Sequence, residues 1–123
     1  MQEVLERILV DFLKISGTTA AGIIDSDGLI IASHSPKMGA EELEVAGGLI
    51  AQLVSSAREV STASGLGEVR DIISETENGK FFVLGASEVF FWFFTEPGIN
   101  LGYIRVQAKK ALEKIESTLA GGD

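Results

Sequence analysis

FFVLGASEVFFWFF, residues 81 to 94, is the most apolar stretch of the chain, and its reading decides the fold. As a helix it is too short to cross a bilayer, which takes about 20 apolar residues, and Ser87-Glu88 interrupts it. It reads instead as two strands, 81–86 and 89–95, joined at Ser87-Glu88. Neither strand alternates apolar with polar residues. Both faces of each must therefore be covered, which calls for helices on both sides of a sheet.

The flanking sequence supplies those helices. Residues 2–15 have helical spacing, with Val4, Ile8, Phe12 and Ile15 on one line and Leu5, Leu9 and Leu13 beside it. Ser16-Gly17 ends that pattern. Apolar runs at 20–25 and 29–33 read as strands, followed by a loop at Ser35-Pro36-Lys37-Met38-Gly39. A long helix is expected over 40–63, opened by Glu41, Glu42 and Glu44 and stopped by Gly65. Residues 68–76 read as a more polar strand, turned by Asn78-Gly79 into the next. Asn100 can cap a last helix, whose stripe is Leu101, Ile104, Ala108, Leu112, Ile115 and Leu119.

The order is thus α-β-β-α-β-β-β-α. Short joins between strands imply an antiparallel sheet of five strands. The fold class is α/β in the α+β sense, an α/β/α sandwich. The first and last helices are expected on one face and the middle helix on the other. Residues 1–120 are expected to form one domain, with 121–123 as a disordered tail.

IIDSDGLIIAS, residues 23–33, raises a question of chemistry. Asp25 and Asp27 before Gly28 could begin a calcium loop, but the residues that follow are apolar and offer no further carboxylate. No neighbouring residue completes an acid/base pair. Ser26-Asp27-Gly28 between two apolar runs reads as a hairpin turn. Exchanging both acids for Asn, or adding EDTA, is then expected to change little.

Composition narrows the function classes. The 123 residues are 46% hydrophobic and carry a net charge of −8, with a pI of about 4.6. An acidic surface repels nucleic acid and anionic membranes. With no cysteine there is neither a disulfide nor a thiolate metal site, and the composition fits a reducing cytoplasm, the expected location. MQEVLERILVDFLK lacks the features of a signal peptide. His34 has no evident partner and is expected to face solvent. There is no P-loop, and Gly65-Leu66-Gly67 reads as a helix stop. The phenylalanines and Trp92 read as core and not as a stacking platform. No catalytic residue, metal ligand or cofactor is expected.

The middle helix is more informative. Leu43, Val45, Leu49, Ile50, Leu53, Val54, Ala57 and Val60 cover about half its circumference, and docking on a sheet needs a stripe of only about 100°. Gly47-Gly48 costs roughly 1 kcal/mol per glycine in mid-helix, which a close contact at Gly47 and Ala51 would offset. The third strand, with Glu68, Arg70 and Asp71, reads as a sheet edge. Together these features predict a two-fold homodimer whose third strands pair and whose middle helices meet. The expected interface is Gly47, Ile50, Ala51, Val54, Arg58, Val69, Arg70, Asp71 and Ile72. A bulky charged residue at Gly47 or Ala51 is then expected to give a folded monomer. Arg105 and Lys109, i and i+4 on the last helix, are candidate contacts for a further partner. Neither Arg58 nor Arg70 is expected to act as an arginine finger in a partner's active site.

These stretches together resemble the Roadblock/dynein light chain family. TTAAGIIDSDGLIIAS is similar to its first hairpin. ELEVAGGLIAQLVSSAREV and GLGEVRDIISETENGKFFVLGAS are similar to its helix, third strand and turn into the fourth. INLGYIRVQAKKALEKIESTL, with Asn100-Leu101-Gly102 and Arg105, is similar to its closing helix. The resemblance covers about residues 2–119 and is to the stand-alone, prokaryotic type. It implies a profilin-like sandwich and a dimer through the second helix and third strand. It further implies a non-catalytic module that binds and regulates a small Ras-like GTPase, as activator or scaffold. Two alternatives stand beside it: a structural subunit of a motor or scaffold complex that pairs with another family member, and a small-molecule-sensing domain. The resemblance implies that a dimer accelerating GTP hydrolysis remodels the GTPase's own site, so no catalytic residue is carried over.

Overall fold

The computed structural model describes residues 1–86 and 88–121. Its elements run α1 (Gln2–Phe12), β1 (Thr18–Asp25), β2 (Ile30–His34), α2 (Ala40–Ala63), β3 (Asp71–Thr76), β4 (Gly79–Gly85), β5 (Val89–Thr95) and α3 (Leu101–Leu119). The element order is the expected one. The expected joint at Ser87 and the last two residues of the expected tail, Gly122 and Asp123, lie outside the described residues.

The five strands form one antiparallel sheet in the order β2-β1-β5-β4-β3. β5 lies in the middle, which is why VFFWFF is apolar throughout: its side chains enter two separate cores. Phe91 and Phe93 face α1 and α3, packing with Phe82, Leu5, Leu9, Ile104 and Ile115. Phe90 and Trp92 face α2, packing with Leu43, Ile50 and Val54. Helices cover both faces, distributed as the sequence predicts. Phe12 meets Phe91 edge-on at 5.0 Å between centroids, and Phe82 stacks on Phe93 at 4.6 Å. Such geometries add about 0.5–1.5 kcal/mol per pair beyond area burial.

Local signals account for the element ends. Asn100 accepts the Tyr103 N–H through its side-chain oxygen at 2.8 Å and so caps α3. Glu42 accepts the Gly39 N–H at 3.0 Å at the start of α2. Several strand ends shift by one or two residues from expectation, and two boundaries shift by three. α1 stops at Phe12, because its last turn tightens: Lys14 N–H bonds to Asp11 O at 3.2 Å and Ile15 N–H to Phe12 O at 3.1 Å. β3 begins at Asp71 and not at 68, although Arg70 O already accepts the Gly85 N–H at 2.6 Å.

The acids of the first hairpin shape the backbone. Asp25 Oδ1 accepts the N–H groups of both Asp27 and Leu29 at 2.9 Å. Gly28 supplies the positive φ, +89°, that the turn requires. Among the described residues, no group of three or more His, Cys, Asp or Glu is placed to hold a metal ion. One close approach constrains the sheet further. Gly22 lies across from Trp92 in the β1–β5 ladder, and a Cβ at Gly22 would enter the indole ring.

Gly22→Ala should lower the unfolding free energy by about 1–3 kcal/mol through overpacking against Trp92, read from urea midpoints. Asp25→Ala should lose about 1 kcal/mol while Asp25→Asn, which keeps an acceptor oxygen, and Asp27→Asn stay near wild type in the same titration. The melting temperature should be unchanged by EDTA.

Candidate functional site

The two faces of α2 differ in what covers them. Leu43, Gly47, Ile50, Val54 and Ser61 are buried on the sheet side. Val45, Leu49 and Val60 point the other way and are 62%, 58% and 63% exposed. At about 100° per residue these three fall within roughly 60° of one another. Leu66, just past the helix, is also exposed. A scattered surface leucine is ordinary, whereas a line of apolar residues along one helix face marks a contact surface.

This stripe corrects part of the interface expected from sequence. Ile50 and Val54 are only 5% and 3% exposed and belong to the chain's own core. The close approach at Gly47 is also internal: a Cβ there would stand 3.0 Å from Ile30 Cδ1 of β2. Ala51 sits against the hairpin turn, where its Cβ would lie 3.2 Å from a Cβ placed on Gly28. The bulky charged substitution at Gly47 would therefore wedge α2 off its own sheet and not simply split a dimer. The wheel shows a surplus of apolar surface but not which margin the sheet takes; Val45, Leu49 and Val60, away from Leu43 and Val54, form the margin the sheet leaves uncovered.

Arg58 is likewise held within the chain. Its guanidinium donates to Ser26 O at 2.7 Å and lies 4.9 Å from the Phe90 ring centroid. It fastens α2 to the hairpin turn, which Ser26 N–H also ties to Glu88 O at 3.0 Å. Arg105 of α3 and Asp71 of β3 form an ion pair at 3.4 Å. Asp71, expected at the dimer interface, and Arg105, expected to meet a further partner, thus meet each other. Both are partly solvent-exposed, so the pair contributes at most about 1 kcal/mol. Lys109 is exposed one turn further along α3. His34 is exposed at the end of β2.

β3 and β2 are the two edges of the sheet. They are guarded differently. Gln2 of α1 donates its amide to Ile31 O of β2 at 2.9 Å. Among the described residues no side chain hydrogen-bonds to the β3 backbone. Arg70 is exposed, Val69 and Ile72 are half-buried, and Ile72 packs toward the α2 side of the sheet. The α2 stripe and the β3 edge are therefore two parts of this sandwich left uncovered by the chain itself. No helix among the described residues is long and apolar enough to cross a membrane.

Comparison with known proteins agrees with this architecture. The protein MJ1340 of Methanocaldococcus jannaschii is 30% identical over 113 residues, spanning 92% of this chain and 97% of that one. The Roadblock/LC7 domain from Streptomyces avermitilis superposes with a TM-score of 0.84 at 16% identity, over 94% of this chain and 97% of the other. MglB of Myxococcus xanthus superposes with a TM-score of 0.86 at 15% identity, over 98% and 90%. Acanthamoeba castellanii profilin IA matches at 0.55 and 19% identity, over 98% and 96%, which makes the sandwich profilin-like. Residues 4–91 match the model of the Roadblock/LC7 domain, and the chain belongs to that family.

Proposed function

We propose that this protein is a non-catalytic homodimeric module that binds and regulates a small Ras-like GTPase. The observation that carries the proposal is the exposed α2 stripe, together with the unguarded β3 edge of the sheet. In the proposed dimer, Val45, Leu49 and Val60 of two copies meet across a two-fold axis. Val69, Arg70, Asp71 and Ile72 lie where the two β3 strands pair, extending the sheet across both subunits. A stable interface buries about 800 Å² per partner, so the stripe and the strand edge would have to act together.

The GTPase partner rests on family membership. Of the two candidate arginine fingers, Arg58 is engaged by Ser26 and Phe90 and would have to give up these contacts to reach into another protein's active site, whereas Arg70 is exposed.

Two measurements test the proposal. Leu49→Glu should give a folded monomer by light scattering, with its circular dichroism spectrum retained. Gly47→Glu should instead lower thermal stability, because the clash is with Ile30 of the same chain. A Leu49→Glu protein that remains dimeric would sink the interface. For the partner, GTP hydrolysis by each small GTPase from the same source is followed with and without the protein. A changed rate or a measurable complex is expected with at least one. An arginine finger is worth about 10³–10⁵ in rate. Arg70→Lys should therefore change any stimulation by less than about tenfold if the arginine plays no such part. Absence of both binding and rate change with every GTPase would remove the regulatory reading.

A further inference from the structure

The opposite layer of the sandwich carries a second, independent surface. An open trough of about 600 Å³ runs between α1 and α3. Its α1 wall presents Val4, Ile8, Phe12 and Ile15, the last just beyond the helix. These recur at intervals of four, four and three residues; from Val4 to Phe12 the apolar wall follows the helix for about 12 Å at 1.5 Å per residue, and Ile15 extends it past the helix end. On the α3 wall Ala111 lies low, with Lys110 and Lys114 above it. A strip of this length matches about two to three turns of a docked helix, whose anchors recur at the same spacing.

The charge around the trough selects the occupant. Six of the chain's ten basic residues lie in α1, in the turn after it, or in α3, against five of its eighteen acids. The remainder of the chain holds four bases against thirteen acids. The α1–α3 layer is thus the one region of this acidic protein that does not repel a negative partner. At the trough itself, Asp11 is paired with Lys14 at 3.2 Å. Lys110 and Lys114, exposed and one turn apart, have no ion-pair partner among the described residues, and Glu113 is the remaining acid on the wall. Two like charges at i and i+4 destabilise a helix slightly, and an acidic ligand would relieve them. Their aliphatic stems can lie along the apolar floor while the ammonium groups reach the rim.

We infer that the α1–α3 trough is a docking site for an amphipathic helix with acidic flanks, contributed by a protein other than the one that meets the α2 face. The site lies on the far side of the sheet from α2, so both surfaces can be occupied at once. The trough is open along its length, which would leave much of a small molecule in water, and this favours a helix.

The test uses the full-length protein and a displayed library of helical peptides with random charge and apolar pattern. Enriched peptides should carry apolar residues at i, i+4 and i+7 with net negative charge. A synthetic copy of one should perturb the NMR signals of Ile8 and Ala111 and leave those of Leu49 unchanged. Lys110→Ala/Lys114→Ala, in which both replacements favour helix, should weaken that peptide at least tenfold while light scattering shows an unaltered assembly. Val4→Asp should do the same. The inference is overturned if no peptide is enriched, if the enriched peptides are basic or lack the apolar pattern, or if the double variant binds as well as wild type. Binding of phosphatidylserine vesicles in preference to any peptide would also overturn it, in favour of a membrane-facing role.

Discussion

The structure depends on the two-sided burial of its middle strand. β5 sends Phe91 and Phe93 into one core and Phe90 and Trp92 into the other, and all four are essentially removed from water. Fully burying a large apolar side chain is worth about 1.5–3 kcal/mol, so leaving either face bare would cost a sizeable part of a domain's stability. A sheet with such a strand needs a layer on each side. α1 and α3 together form one layer, whereas α2 alone forms the other. That asymmetry governs the rest of the molecule. Two helices packed side by side leave a trough between them. A single helix over one face leaves its own outer side exposed, and that side is free to be apolar only if something else covers it.

Charge follows the same division. The α2 face and the turns hold most of the acids, and the α1–α3 layer holds most of the bases. On the α2 side, self-association must therefore rest on apolar contact and strand pairing, since like charges on two copies oppose it. Glu41 and Glu42 suit the N-terminus of α2 and stay exposed. The neutral and apolar part of the helix lies farther along, at Val45, Leu49 and Val60. Charge at one end and apolar side chains along the middle restrict which arrangements of two copies are tolerable.

Much of this was legible in the residues alone. The unbroken apolar run at 89–95 announced a strand covered on both faces, and the acids at 41 and 42 with Gly65 bounded α2. The polar composition of β3 announced an edge. What escaped was contact between residues far apart in the chain. Arg105 and Asp71 are 34 positions apart and pair only because β3 and α3 come together in the fold. Gly47 was read as a place for another copy, whereas the side chain it admits is Ile30 of the same chain. A helix wheel shows how much apolar surface exists but not which part the sheet takes first. The sheet took Leu43, Ile50 and Val54, and the remainder was displaced toward Val45, Leu49 and Val60. The early end of α1 was illegible for a different reason, since a tightened last turn needs no breaker residue to announce it.

The central claim is that α2 carries more apolar surface than its own sheet can cover, so that a second copy completes it. Sedimentation equilibrium of the wild-type protein, followed on dilution through the micromolar range, tests this most directly. The account predicts a mass twice the 13.1 kDa of one chain, with dissociation only at the lowest concentrations. A single-chain mass at every concentration, with the fold retained, would contradict it.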